Sequence, residues 1–166
     1  DADAELRLRL RRWFDVDTLA APLSLGSVYP GIAELVAALR PHVPMVVVTN
    51  KPTPLSRAVL DAAGLLPFVD GVFGGDTPAL RKPAPDLLLA AAAQLEVAAT
   101  QLLMVGDSVL DLRAAQAAGC PAVLAAWGYG GHALPAGLDP WRSETPDHLQ
   151  QALLASRRAD EQIIHD

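Results

Sequence analysis

The segment Leu102-Leu103-Met104-Val105-Gly106-Asp107-Ser108-Val109-Leu110-Asp111 constrains this chain more than any other. Its opening apolar residues read as a buried strand that Gly106 breaks. Two acids follow: Asp107 at the strand's carboxyl end, and Asp111 in the first turn of a helix expected over Asp111 to Ala118. Open α/β sheets bind ligands in the crevice outside the carboxyl ends of their strands. Two carboxylates delivered there make a hard-oxygen site suited to Mg²⁺ and a phosphate. A purely local reading competes with this one: Asp107 or Ser108 caps the helix, and Asp111 complements its dipole.

The rest of the chain alternates in the same way. Pro30-Gly31 opens a helix from Ile32 to Leu39, ended by Pro41. Met45 to Val48 is a β-branched run and therefore a strand. Pro52 and Pro54 open a helix from Leu55 to Ala63, closed by Gly64. Val72-Phe73 is a short strand, Asp86 to Leu95 a helix, and Ala122 to Ala125 a further strand. Such alternation specifies a parallel sheet with right-handed crossovers, an α/β fold. Before it, Glu5 to Phe14 carries Leu6, Leu10, Trp13 and Phe14 at helical spacing, although Leu6, Leu8 and Leu10 also alternate as in a strand. Gly128 to Gly137 reads as a glycine-rich loop, and Arg157 to Asp166 as a polar tail.

Composition narrows the function. Of the 166 residues 51% are apolar but only 5% aromatic, so the core is Ala, Leu and Val packed as helices over a sheet. That length suits one domain. A net charge of −6 argues against nucleic acid or an anionic membrane as partner. Cys120 is the single cysteine, which excludes an internal disulfide and a cysteine-based zinc site. No apolar run approaches the roughly 18 residues of a membrane span, and no signal peptide is visible, so a cytoplasmic location is the default expectation.

Two further segments carry chemistry. Val48-Thr49-Asn50-Lys51-Pro52 places a hydroxyl and free backbone N–H groups at a strand tip before a proline-led helix, an arrangement that binds anions or simply caps the helix. Lys82 lies in Arg81-Lys82-Pro83-Ala84-Pro85-Asp86, where the prolines stiffen the backbone and hold the ammonium as a fixed point charge. Solvated surface lysine is the plainer alternative.

In that order and at those strand tips, the chain resembles the haloacid dehalogenase superfamily. Thr49 matches the family's second motif, Lys82 the third, and Asp107 with Asp111 the fourth. Tyr29-Pro30-Gly31, Val47-Val48-Thr49-Asn50-Lys51-Pro52, Gly74-Gly75-Asp76, Lys82-Pro83-Ala84-Pro85-Asp86 and Ala117-Ala118-Gly119-Cys120-Pro121 resemble the phosphoglycolate phosphatase-like branch, over Val28 to Leu153. The resemblance implies a three-layer Rossmann-like core with the remnant of a helical cap. It also implies a Mg²⁺-dependent phosphatase acting on a small phosphorylated metabolite through an aspartyl-phosphate intermediate. Thr49 and the backbone at Asn50 would hold phosphoryl oxygens, and Lys82 would offset transition-state charge. Asp107 would ligate Mg²⁺, with Asp111 either supporting the coordination or orienting Lys82.

The family's first motif, a strand ending Asp-x-Asp-Gly-Thr that supplies nucleophile and acid, has no good match. Trp13-Phe14-Asp15-Val16-Asp17-Thr18-Leu19 comes nearest but lacks the glycine. The preceding stretch from Leu6 to Arg12 holds four arginines and is unfit for a central strand buried on both faces. The expectation is therefore that residues 1–24 end a helical cap, 25–155 form the core without its first strand, and 156–166 are the tail. The nucleophile then lies upstream of Asp1, and the missing strand leaves two unpaired inner edges. A truncated or non-catalytic protein of this fold, with a binding or regulatory role, is the alternative.

Overall fold

The computed structural model describes residues 2–23, 26–130 and 134–163. Asp1, the expected boundary at 24–25, part of the glycine-rich loop with His132, and the last residues of the tail lie outside them. The helices are α1 (Ala2–Ala20), α2 (Ile32–Leu39), α3 (Thr53–Ala62), α4 (Asp86–Gln94), α5 (Val109–Ala118) and α6 (Pro146–Ile163). The strands are β1 (Val46–Thr49), β2 (Gly71–Gly74), β3 (Met104–Gly106), β4 (Ala122–Ala125) and β5 (Trp141–Ser143). Every pairing among them is parallel.

Local chemistry accounts for most of these elements. The β-branched run of β1 pairs with β2 in the register Val46 to Gly71 through Thr49 to Gly74. Leu35 and Leu39, four residues apart, give α2 its buried stripe. Gly64, in the left-handed region at φ 69°, follows α3 where the sequence places a helix stop. Ser108 caps α5, and α4 begins at Asp86 directly after Pro85.

Two apolar clusters lie on opposite faces of the strands. On one face Leu88, Met104, Ala114, Ala115 and Cys120 pack with Val48, so α4 and α5 cover both β1 and β3. On the other, Leu35, Leu39, Val123 and Leu149 join α2 and α6 over β4. The result is the expected three-layer α/β arrangement. Leu124 and Leu149 are essentially inaccessible to solvent, and each such leucine stabilises the fold by about 2 kcal/mol relative to exposure. Burial pushes the Cys120 thiol up, and the residue serves as a small apolar filler, as its context suggests.

The strands do not form one sheet. β1 and β2 make a two-stranded piece and β3-β4-β5 a three-stranded piece, with no hydrogen-bonded pairing between β1 and β3. Both inner edges are therefore unpaired, and Val105 in the middle of β3 is 38% exposed despite its apolar context. The shared helix layer of α4 and α5, not strand pairing, holds the two pieces together.

Three features differ from the sequence reading. Helix α1 begins at Ala2 and runs on to Ala20, beyond the expected Glu5 to Phe14, so that Asp15 and Asp17 sit on the helix itself. α6 continues through the beginning of the expected polar tail as far as Ile163. β5 was not anticipated: three residues long, with Arg142 at its centre, it shows no alternating pattern to read.

Candidate active site

The carboxyl ends of β1 and β3 are joined by Lys82. The Lys82 ammonium donates to the Val48 carbonyl at 2.8 Å and pairs with Asp111 Oδ1 at 2.6 Å. Its side chain is 11% exposed, so it is not a solvated surface lysine. Two prolines around Ala84 shape the loop that delivers it, and α4 starts immediately after. A buried pair of this kind repays its desolvation only when the remaining polar atoms are satisfied. They are satisfied: among the described residues no buried side-chain nitrogen or oxygen lacks a partner.

Asp111 is fixed by the start of its own helix. Its Oδ2 accepts from the Ser108 N–H at 3.0 Å and the Ser108 hydroxyl at 2.7 Å, while Ser108 Oγ accepts from the Asp111 N–H at 3.3 Å. This is a reciprocal cap. The local reading and the functional one thus describe the same residues, since the cap that starts α5 also orients the carboxylate that holds Lys82. Gly106 makes this possible: a Cβ there would fall 2.6 Å from Asp111 Oδ2.

Asp107 is held from the other side. Its Oδ2 accepts from the Tyr129 N–H at 2.8 Å, and the loop after β4 lies directly on it. A Cβ on Gly128 would stand 2.6 Å from Asp107 Cγ. Tyr129, 88% exposed, tilts against Tyr29 with ring centroids 5.9 Å apart. Burial, a hydrogen bond with Tyr129 and the charges of Tyr129 and Asp107 together hold the Tyr29 phenol above its ordinary range. Neither tyrosine nor the Gly128-Tyr129-Gly130 turn was recognised as part of the site; the closely spaced glycines were the available signal.

At the tip of β1, Thr49 Oγ1 accepts from the Lys51 N–H at 3.1 Å, which leaves its own proton to be donated elsewhere. The Asn50 carboxamide is occupied with Lys82: Oδ1 accepts its N–H at 2.7 Å and Nδ2 donates to its carbonyl at 3.0 Å. The start of α3 differs from expectation. Neither Thr49 nor Asn50 caps it, and its first N–H is not open to an anion. Asp76 takes that role, accepting from Thr53 N at 2.7 Å and Thr53 Oγ1 at 2.8 Å. The acid arrives from the tip of β2, a tertiary contact that no helix-start rule anticipates.

Thr49, Asn50, Lys82, Asp107 and Asp111 are thus brought to one end of the strands. Among the described residues no cluster of three or more His, Cys, Asp or Glu side chains forms a ready metal cage. Mg²⁺ does not need one, since it keeps several waters and binds through one or two carboxylates plus phosphate oxygens. Asp107 Oδ1 makes no hydrogen bond to any described residue and suits that role. Both Asp111 oxygens are engaged, which favours orienting Lys82 over direct coordination. We expect Gly128→Ala to push Asp107 out of place and weaken Mg²⁺ binding about 10- to 100-fold, as loss of the contacts that orient a ligand does. Calorimetric titration with Mg²⁺ checks this.

Comparison with known proteins shows the family and the fold. Residues 2–119 match the model of the haloacid dehalogenase-like hydrolase family. The phosphoglycolate phosphatase of Escherichia coli (strain K12) is 39% identical over 131 residues, which cover 78% of this chain and 52% of that protein. That of Rhodospirillum rubrum is 47% identical over 109 residues, covering 65% and 45%. The chain thus spans about half the length of the curated relatives it matches. Among solved structures, a predicted phosphoglycolate phosphatase from Haemophilus somnus 129PT superposes with a TM-score of 0.76 at 28% identity, covering 87% of this chain and 64% of that one. CbbY from Rhodobacter sphaeroides, in complex with phosphate, gives 0.66 at 28% identity over 81% and 60%. This chain belongs to the haloacid dehalogenase-like hydrolases and, within them, is similar to the phosphoglycolate phosphatase branch.

Proposed function

We propose that this chain carries most of the active site of a Mg²⁺-dependent phosphatase that hydrolyses a small, phosphoglycolate-like phosphate monoester. The observation that carries the proposal is the Lys82 ammonium, held between the β1 tip and Asp111 at the carboxyl ends of the strands. The hydrolysis proceeds through an aspartyl phosphate, and the attacking aspartate comes from a segment outside residues 1–166. Two features support that last point: β1 and β3 leave their facing edges unpaired, and Asp15 and Asp17 lie on α1. The similarity to longer phosphoglycolate phosphatases, of which the matched residues cover 52%, points the same way.

The division of labour follows from the contacts. The Thr49 hydroxyl donates its proton to a phosphoryl oxygen, beside the backbone N–H of Asn50. Lys82 neutralises charge that spreads over those oxygens in the transition state, at no cost in reorganisation because it is already anchored. Asp107, through its Oδ1, would hold Mg²⁺, which would supply the positive charge that lets a phosphate dianion approach a carboxylate nucleophile. The loop from Gly128 to Gly130 keeps Asp107 aimed.

The test compares residues 1–166 alone with a longer protein carrying an upstream Asp-x-Asp-Gly-Thr strand, using para-nitrophenyl phosphate and phosphoglycolate with Mg²⁺. We expect no turnover from the first, and turnover with cooperative unfolding from the second. If residues 1–166 turn over alone and Asp15→Asn stops them, the nucleophile is Asp15 and the upstream assignment fails. If the longer protein binds Mg²⁺ and phosphate but hydrolyses neither ester, the non-catalytic alternative holds.

A further inference from the structure

We propose that Asn50 is a positioning residue: its carboxamide sets the place of Lys82 by clamping that residue's backbone, rather than contacting substrate. The inference rests on the phosphatase reading above and deepens it. Both polar ends of the Asn50 side chain are used on one residue, Oδ1 accepting the Lys82 N–H at 2.7 Å and Nδ2 donating to the Lys82 carbonyl at 3.0 Å. The two hydrogen bonds imitate the exchange between paired strands.

The loop needs such a device. Pro83 and Pro85 lack N–H groups, so the segment cannot lie along β1 as an ordinary ladder strand. Its other backbone bonds are internal turns: Arg81 N–H reaches Pro78 O, and Ala84 N–H reaches Arg81 O. Besides the Asn50 pair, Arg81 Nε donates to Gly75 O at 3.1 Å. Asn50 thus fixes the base of the Lys82 side chain to the β1 tip, while Val48 O and Asp111 fix its head. A lysine stem has four flexible torsions and holds a point charge loosely unless both ends are tied. With both ends held, the ammonium keeps its register with Thr49, the neighbour of Val48 and Asn50 on the same tip.

Two measurements on the longer protein test this. The first is hydrogen exchange across Arg81–Asp86, in wild type and in Asn50→Ala. Because the prolines contribute no N–H, the Lys82 amide supplies a large share of the signal. We expect that amide to be protected in wild type and to exchange at least about tenfold faster in the variant. Equal exchange in the two proteins overturns the clamp, whatever the protein's activity. The second is steady-state hydrolysis of para-nitrophenyl phosphate. Asn50→Ala should lower kcat about 10- to 100-fold, as small misplacements of a catalytic group do, and leave KM within about threefold. An unchanged kcat overturns the positioning role. A loss confined to KM makes Asn50 a phosphate contact and overturns it too. Added to Lys82→Ala, the Asn50 change should cost little more, because it acts through Lys82; fully multiplied losses exclude that route. An inactive wild-type protein would refute the phosphatase reading and leave hydrogen exchange to decide the clamp.

Discussion

Lys82→Ala is expected to lower turnover of the active protein by about 10²- to 10³-fold, the scale on which removal of one preorganised charge-stabilising donor is felt. It should also destabilise the fold by about 3 kcal/mol, because Asp111, 5% exposed, would lose the cation that balances it. The cost should stay near the lower end of such losses, since the two hydrogen bonds from Ser108 remain. Steady-state kinetics and urea unfolding separate the two effects. Adding Asp111→Asn to Lys82→Ala should restore much of the stability, because the orphaned charge is removed, and none of the activity. A Lys82→Ala protein with normal turnover and stability would show that the ion pair with Asp111 has no functional weight.

Asp107→Asn is expected to abolish Mg²⁺-dependent hydrolysis, a fall of at least about 10³-fold, because a metal-stabilised step is worth several kcal/mol. The fold should survive. Asp107 is only partly buried, and its side chain accepts one backbone N–H, that of Tyr129, which an asparagine oxygen can also accept. The variant should therefore unfold within about 1 kcal/mol of wild type while its Mg²⁺ affinity collapses in calorimetry. Activity near wild type, with the same Mg²⁺ dependence, would remove Asp107 from the metal site. The contrast with Lys82→Ala is diagnostic, since one change strikes rate alone and the other strikes rate and stability together.

Much of the site was legible in the sequence for a simple reason. Thr49, Lys82, Asp107 and Asp111 each carry a local mark that needs no knowledge of the rest of the chain: a β-branched run ending in a hydroxyl, a lysine directly ahead of Pro83-Ala84-Pro85, an apolar run cut by Gly106. The helices were legible where proline, glycine or a capping serine punctuates them, as at α2, α3 and α5. Boundaries moved by a residue or two at β1, β2, β3, α3, α4 and α5, since such marks locate an element more closely than its terminal residue. β5 was not legible, because its place beside β4 comes from pairing and not from any pattern of its own. Asp76 reads in the sequence only as the end of Gly74-Gly75-Asp76, since its work of capping α3 depends on β2 lying beside β1.

The sequence by itself determined the α/β alternation, the two strand tips and the Lys-Pro-x-Pro loop at which chemistry gathers, and the unfitness of Leu6 to Arg12 as a central strand. Only the tertiary structure decided which groups meet. Lys82 could have faced solvent, and it instead crosses between two sheet pieces to Val48 and Asp111. Asn50 could have faced an anion, and it spends both ends of its amide on the Lys82 backbone. The difference is physical: propensity and punctuation act over a few neighbouring residues, whereas an ion pair or a two-point hydrogen bond forms only after packing has brought distant segments within 3 Å and excluded the water that would have competed for them.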